Sequence, residues 1–239
     1  MHILLSQQEI KHLNALKIKK YRTKYSQFIA EGDKIIKELI DKGMEVVHIY
    51  TTHPEEFNVK EIKNVSEVDL KKISALQHPN QSLAVIAIPT STFTIDDNEW
   101  IVVLDDIQDP GNMGTIIRTC DWFGVKKIIC SDGCVDAYNP KVVQASMASV
   151  ASVQIQEMNL EEVFLKYKLP IYGAVLNGND YRQQSFNRKG FVLIGNEGHG
   201  IRQSLQEKIN FPITIPKKGT AESLNAAIAT ALILDKLQV

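Results

Sequence analysis

Cysteine is scarce in this chain of 239 residues, net charge is almost absent, and long apolar runs are missing. The three cysteines, Cys120, Cys130 and Cys134, cannot all pair. Their spacing gives no CxxC, and no histidine follows at zinc-finger distance. They read as small apolar side chains rather than a disulfide framework or a metal site. Lys and Arg number 27 against 28 Asp and Glu, a formal charge of −1, so any affinity for a polyanion has to come from local patches. No stretch approaches the ~20 apolar residues that cross a bilayer. The start, MHILLSQQEIKHL, lacks the charged beginning, apolar centre and small-residue cleavage site of a signal peptide. The expectation is a cytoplasmic protein with no membrane partner. Repeats and low-complexity tracts are absent too. Neither GxGxxG after the first strand of the regular region nor a P-loop occurs, which argues against a dinucleotide oxidoreductase.

What is present is ordinary for a soluble globular chain: 44% hydrophobic and 23% charged residues, enough to bury a substantial core. Its texture changes along the length. Residues 1–89 carry short charged elements, with strands expected at EVVHIYTT (Glu45–Thr52) and SLAVIAIP (Ser82–Pro89) and a helix in EGDKIIKELIDKG. Residues 90–99 are short, polar and β-branched, and read as a linker. From residue 100 to 239 the runs WIVVLDDI, VKKIIC, VQIQEM, IYGAVL, GFVLIGN and FPITIP alternate with helix-length segments. Near-continuous apolar strands alternating with helices predict an α/β domain with a parallel sheet covered on both faces. Ligands of such sheets bind beyond the carboxyl ends of the strands, where DDIQDPGNMG, NGND, GNEGHG and PKKGTAESLN all fall.

Three of these segments carry chemistry. In LDDIQDPGNMGTIIRTCDWFGV a strand ends in Asp105 and Asp106, and a Pro-Gly turn opens a helix holding Asn112 and Arg118. Arg118 has a bland alternative, a salt bridge to Asp105 or Asp106. In VLIGNEGHGI two glycines flank Glu197, as in a loop wrapped on a ligand; the alternative is a plain strand-to-helix turn. His199 is a candidate acid–base group or a solvated loop histidine. The third, PKKGTAESLNAAIATALIL (Pro216–Leu234), ends as an apolar helix but begins with polar residues. Thr220 is the expected cap, leaving Asn225 one turn inside a helix, where asparagine usually wants another partner.

Taken together and in this order, DPGNMGTIIRTCDWFGV, FVLIGNEGHGI and ITIPKKGTAESLNAAIATALIL resemble the three motifs of the SpoU/TrmH family of RNA 2′-O-ribose methyltransferases, in the SPOUT superfamily. YNPKVVQASMASV (Tyr138–Val150) resembles that family's connecting helix, and FIAEGDKIIKEL (Phe28–Leu39) resembles the substrate-binding domain of its rRNA-modifying branch, a fold of ribosomal protein L30e type. The resemblance covers nearly the whole chain. It implies a C-terminal segment threaded into a deep trefoil knot, a feature that general topology rules would argue against. It implies S-adenosyl-L-methionine as cofactor, no metal, and a homodimer formed through the knotted domain.

The same resemblance assigns residues. Arg118, Asn112, Glu197, Ser223 and Asn225 would be catalytic. Ile194, Gly195, Gly198, Ile215, Leu224, Leu176 and Asn177 would contact the cofactor. A guanidinium is effectively always protonated, so for Arg118 a bidentate grip on the target phosphate stands beside the family's role as base. Lys17, Lys19, Lys20, Arg22 and Lys24 form a basic tract with Tyr21 and Tyr25 interleaved, suited to RNA, with a solvated helix face as the alternative. Lys217 and Lys218 would add phosphate contacts beside the third motif. Gln144 departs from the family, where an arginine is common. The expected substrate is 23S rRNA, the alternatives being tRNA or a non-catalytic ribosome-assembly role.

Overall fold

The computed structural model describes residues 2–90 and 92–237; Ser91, inside the expected linker, lies outside the described residues. The chain forms two compact units, one of Met1–Ser91 with Asp136–Ala151, the other of Thr92–Val135 with Ser152–Val239. This differs from the expected division, because residues 136–151 pack with the N-terminal unit although they lie in the middle of the C-terminal one's sequence.

In the first unit, α1 (Gln7–Ala15), α2 (Lys19–Tyr25), α3 (Asp33–Asp41) and α4 (Glu67–Ile73) accompany a sheet of β1 (Gln27–Glu31), β2 (Val46–Thr51), β3 (Ile62–Asn64) and β4 (Ser82–Ala87). The strand order is β1-β4-β2-β3, antiparallel except for the β2–β3 pair. Helix α1 opens with a capping box. Ser6 Oγ accepts the Glu9 amide, and the Glu9 carboxylate accepts the Ser6 amide at 2.9 Å, so two otherwise unpaired donors are satisfied reciprocally. Lys63 Nζ then donates to Glu9 at 2.6 Å. Leu13, Leu16, Ile29, Tyr50, Leu83 and Val85 share one buried cluster. The returning segment supplies α6 (Pro140–Ser146), which packs on β1. Tyr138 places its ring 4.9 Å from that of Phe28, which is fully buried.

The second unit contains β5 (Ile101–Leu104), α5 (Pro110–Trp122), β6 (Lys127–Cys130), β7 (Gln154–Glu157), α7 (Leu160–Tyr167), β8 (Ile171–Asp180), β9 (Phe191–Ile194), α8 (Gln203–Gln206), β10 (Phe211–Thr214) and α9 (Ala226–Leu237). All pairings in its sheet are parallel, in the order β10-β8-β9-β5-β6-β7. The central strands β5 and β9 are buried at every position, which is why their sequences read as unbroken apolar runs. Ile101, Val103, Ile129, Phe164, Phe191 and Leu193 lie in its buried core cluster. Truncating a buried phenylalanine such as Phe191 to alanine would cost about 3–5 kcal/mol. The three cysteines are free and buried.

Candidate active site

The carboxyl ends of β5, β9 and β10 present the segments that carry the three motifs, whereas NGND, expected after a strand, forms the end of β8 itself. Helix α5 begins where Asp109 Oδ1 accepts the Asn112 amide at 2.8 Å and Pro110 takes the first helical position, whose N–H needs no partner. Asn112 is therefore fixed in the first turn, with Met113, Ile116, Ile117 and Cys120 forming the buried face behind it.

Asn225 does not lie inside a helix. Helix α9 starts at Ala226, and Asn225 caps it: its Oδ1 accepts the amides of Ala227 at 2.9 Å and Ile228 at 3.3 Å. Thr220 is not the cap; it lies in the irregular stretch before it. With Oδ1 spent on the helix, Asn225 Nδ2 is free to donate to Asn112 Oδ1 at 2.8 Å, and Asn112 Nδ2 donates in turn to Glu197 Oε1 at 2.5 Å. Each amide accepts on one side and donates on the other, so the Glu197 carboxylate terminates a directional chain that runs back to the start of α9. Ser223 Oγ joins by donating to the Glu197 backbone carbonyl at 3.3 Å. Four of the five expected catalytic residues thus meet.

Arg118 does not join them. Six residues beyond Asn112, it lies about 9 Å further along α5 and ~120° round its axis. It is exposed, and among the described residues it makes no hydrogen bond or ion pair. The bland pairing with Asp105 or Asp106 is also absent. Asp105, 1% exposed, accepts from Arg202 Nε at 2.7 Å and from the Arg202 amide at 2.9 Å, a hydrogen-bonded pair that raises the guanidinium's already high pKa. Asp106 instead faces His199 at 3.1 Å.

The loop holding Glu197 is closed on itself by reciprocal backbone bonds between Asn196 and Gly200. Gly195 is required here, because a Cβ would overlap the backbone of Gly200 and Ile201. Among the residues expected at the cofactor, Ile194 and Gly195 are buried at the end of β9, Gly198 is exposed, and Ile215 is half-buried just past β10. Leu176 and Asn177 are exposed on β8, where Thr214 Oγ1 donates to the Leu176 carbonyl at 3.0 Å. Leu224 is 43% and Leu176 74% exposed. Uncovered leucines, one on β8 and one in the irregular stretch before α9, suit a ligand with an apolar face such as the adenine of S-adenosylmethionine.

The basic tract divides. Lys19, Lys20 and Lys24 are exposed, with Lys24 lying over the Tyr25 ring and Tyr25 stacked with Tyr21 at 6.3 Å. Arg22 is 2% exposed and bound to Asp136 through Nε at 2.7 Å and to the Leu16 carbonyl at 2.9 Å. It anchors the fold and is not on offer to RNA, a correction to the expectation. Lys17 is likewise committed, to Asn14 and to the Ser74 carbonyl at 2.7 Å, and burial pushes its ammonium pKa down. Lys217 and Lys218 are exposed.

A parallel sheet with polar loops gathered on its carboxyl edge, an Asn–Asn–Glu chain among them, fits an α/β protein with its ligand site beyond the strand ends. The chain belongs to the SpoU rRNA methylase family, whose model matches residues 99–235, and is a methyltransferase; the MRM3-like substrate binding domain matches residues 7–84. It is 30% identical over 97% of its length to the 23S rRNA (guanosine(2553)-2′-O)-methyltransferase RlmP of Bacillus subtilis, covering 96% of that protein. A TrmH-family protein from Porphyromonas gingivalis superposes with a TM-score of 0.86 at 32% identity, covering 98% of both chains. An rRNA methyltransferase from Sinorhizobium meliloti, solved with S-adenosylmethionine bound, superposes at 0.86 with 28% identity over 98% of this chain and 95% of that one.

Proposed function

We propose that the protein methylates a ribose 2′-hydroxyl of structured RNA, with 23S rRNA as substrate. The Asn225–Asn112–Glu197 chain supports this reading, because it offers a fixed acceptor and fixed dipoles suited to orienting a ribose hydroxyl. S-adenosylmethionine supplies an activated methyl group with its own leaving group, so transfer asks for alignment and proton removal rather than a metal. Ile194, Gly195, Gly198, Leu176, Asn177, Ile215 and Leu224 would hold it at the strand ends. Glu197 and Asn112 orient the ribose, while Ser223 and Asn225 fix the loop that bears Glu197. Arg118 grips the target phosphate and stabilises charge developing on the attacking oxygen.

A homodimer accounts for the position of Arg118. It lies on an exposed stripe of α5 with Thr115 and Trp122, and Trp122 is 84% exposed. An uncovered tryptophan beside an unpaired arginine suits a protein interface that delivers Arg118 to a second copy's site. The knot is proposed on the family likeness and on the β8–β10 pairing, which skips from Gly173 to Asn179 while Gly178 abuts the backbone of Pro212 and Ile213. The L30e-type reading of the first unit rests on the resemblance of its sequence. Lys19, Lys20, Lys24 and the Tyr21–Tyr25 pair would meet RNA there, with Lys217 and Lys218 near the site. The presence of that unit favours rRNA over tRNA.

The test is transfer from labelled S-adenosylmethionine to total RNA lacking this modification, with the 2′-O-methyl site mapped. One labelled site in 23S rRNA supports the reading. A tRNA site keeps the chemistry and overturns the substrate, and cofactor binding without transfer to RNA or to assembling ribosomal particles supports the non-catalytic alternative.

A further inference from the structure

Asp106 has a backbone that few residues with a side chain adopt, aspartate being among the more tolerant. Its φ is 61°, in the left-handed region that glycine adopts freely and L residues rarely do. The surroundings hold it there. Its amide donates to Ser131 Oγ at 2.9 Å and its carbonyl accepts from Asn196 Nδ2 at 2.8 Å. Those two bonds use only backbone atoms of residue 106 and would survive in a glycine. The carboxylate makes two more contacts, from Gln108 Nε2 at 3.0 Å and from His199 Nε2 at 3.1 Å. Room for it exists because residue 133 is glycine, where a Cβ would overlap Asp106 Oδ1. A left-handed residue whose backbone bonds a glycine could also make, with space kept for its carboxylate, points to a functional constraint.

His199 is the link to chemistry. It stands two residues after Glu197 in the five-residue loop closed by Asn196 and Gly200, and its own amide leans on Asn196 Oδ1 at 3.3 Å. Asp106 stands on the β5–α5 connection, which goes on to Asn112. The Asn112–Glu197 bond therefore joins the first turn of α5 to the 196–200 loop, and Asp106 and His199 tie the connection before that helix to the same loop, side chain to side chain. We propose that Asp106 is a positioning residue, retained in a glycine-like conformation because its carboxylate, acting through His199, fixes the loop that presents Glu197 to Asn112. Neutral or protonated, the imidazole can donate from Nε2, so the tie does not depend on its charge. This inference rests on the methyl-transfer reading of the same site.

The decisive variant is Asp106→Gly. Relief of left-handed strain offsets the greater freedom of the unfolded chain, so Tm should stay within about 3 °C of the parent. With the carboxylate gone, kcat should fall roughly ten- to a hundredfold through misplacement of Glu197, with KM for the cofactor little changed. His199→Ala should give the same loss, the double variant should be no worse than either single one, and Asp106→Asn, which can still accept from His199, should recover part of the activity. Hydrogen exchange of residues 195–201 in the cofactor-free protein reads the loop without turnover, and both single variants should exchange faster there. Faster exchange in a protein whose parent transfers no methyl group would sink the reaction and keep the positioning role. Unchanged exchange, losses that multiply in the double variant, or a Tm collapse in Asp106→Gly would each overturn it.

Discussion

Asn225 shows how much a single amide can do. One oxygen terminates α9 and one nitrogen organises Asn112 and Glu197, so the residue joins the stability of a helix to the geometry of the site. Asn225→Ala should lower stability by about 1 kcal/mol through the lost cap, seen in thermal melts, and should weaken cofactor binding and transfer together. Arg118→Ala should behave differently, since among the described residues that side chain makes no hydrogen bond or ion pair. Transfer should fall by roughly 10²–10³-fold with cofactor affinity kept in calorimetry, and a large loss of cofactor binding would reassign the residue. Glu9 offers a test remote from the site. Lys63 and Ser6 hold its carboxyl down from 4.5 to about 2, so it stabilises the fold above its unfolded value and the contribution fades as pH falls through that window. Glu9→Gln should cost about 1 kcal/mol at neutral pH, and its denaturation midpoint should converge on the parent's towards pH 2.

At the scale of elements, burial set what could be read in advance. The runs SLAVIAIP, WIVVLDDI, VKKIIC and GFVLIGN became β4, β5, β6 and β9 because strands covered on both faces must be apolar throughout. The start of α9 was misplaced, although asparagine's preference for caps over helix interiors was a cue in the sequence itself. The basic tract was legible as charge and illegible as function. What removes Arg22 is Asp136, and what removes Lys17 is the Ser74 carbonyl, partners far away in sequence that only the fold brings near. The strain at Asp106 left no sequence signal at all. Charge reversal of Lys19, Lys20 and Lys24 should weaken RNA binding about tenfold or more and flatten its salt dependence, measured by filter binding across a salt series. Unchanged binding would return the tract to a solvated face.

At the scale of the molecule, the separation of Arg118 from the Asn225–Asn112–Glu197 chain bears on assembly. If Arg118 serves a second copy's site, Arg118→Ala and Glu197→Ala proteins, each inactive alone, should regain roughly a quarter of parental activity when unfolded and refolded together, because half the dimers are mixed and each has one intact site. No recovery would place Arg118 in its own chain's site. The split composition of the first unit reaches further still, to the order of synthesis. Phe28 and Arg22 wait for Tyr138 and Asp136, so on the ribosome, at ~5–20 residues per second, the N-terminal unit stays unfinished for several seconds after residue 91 has been made. The half that is translated first cannot be completed until part of the other half has been made.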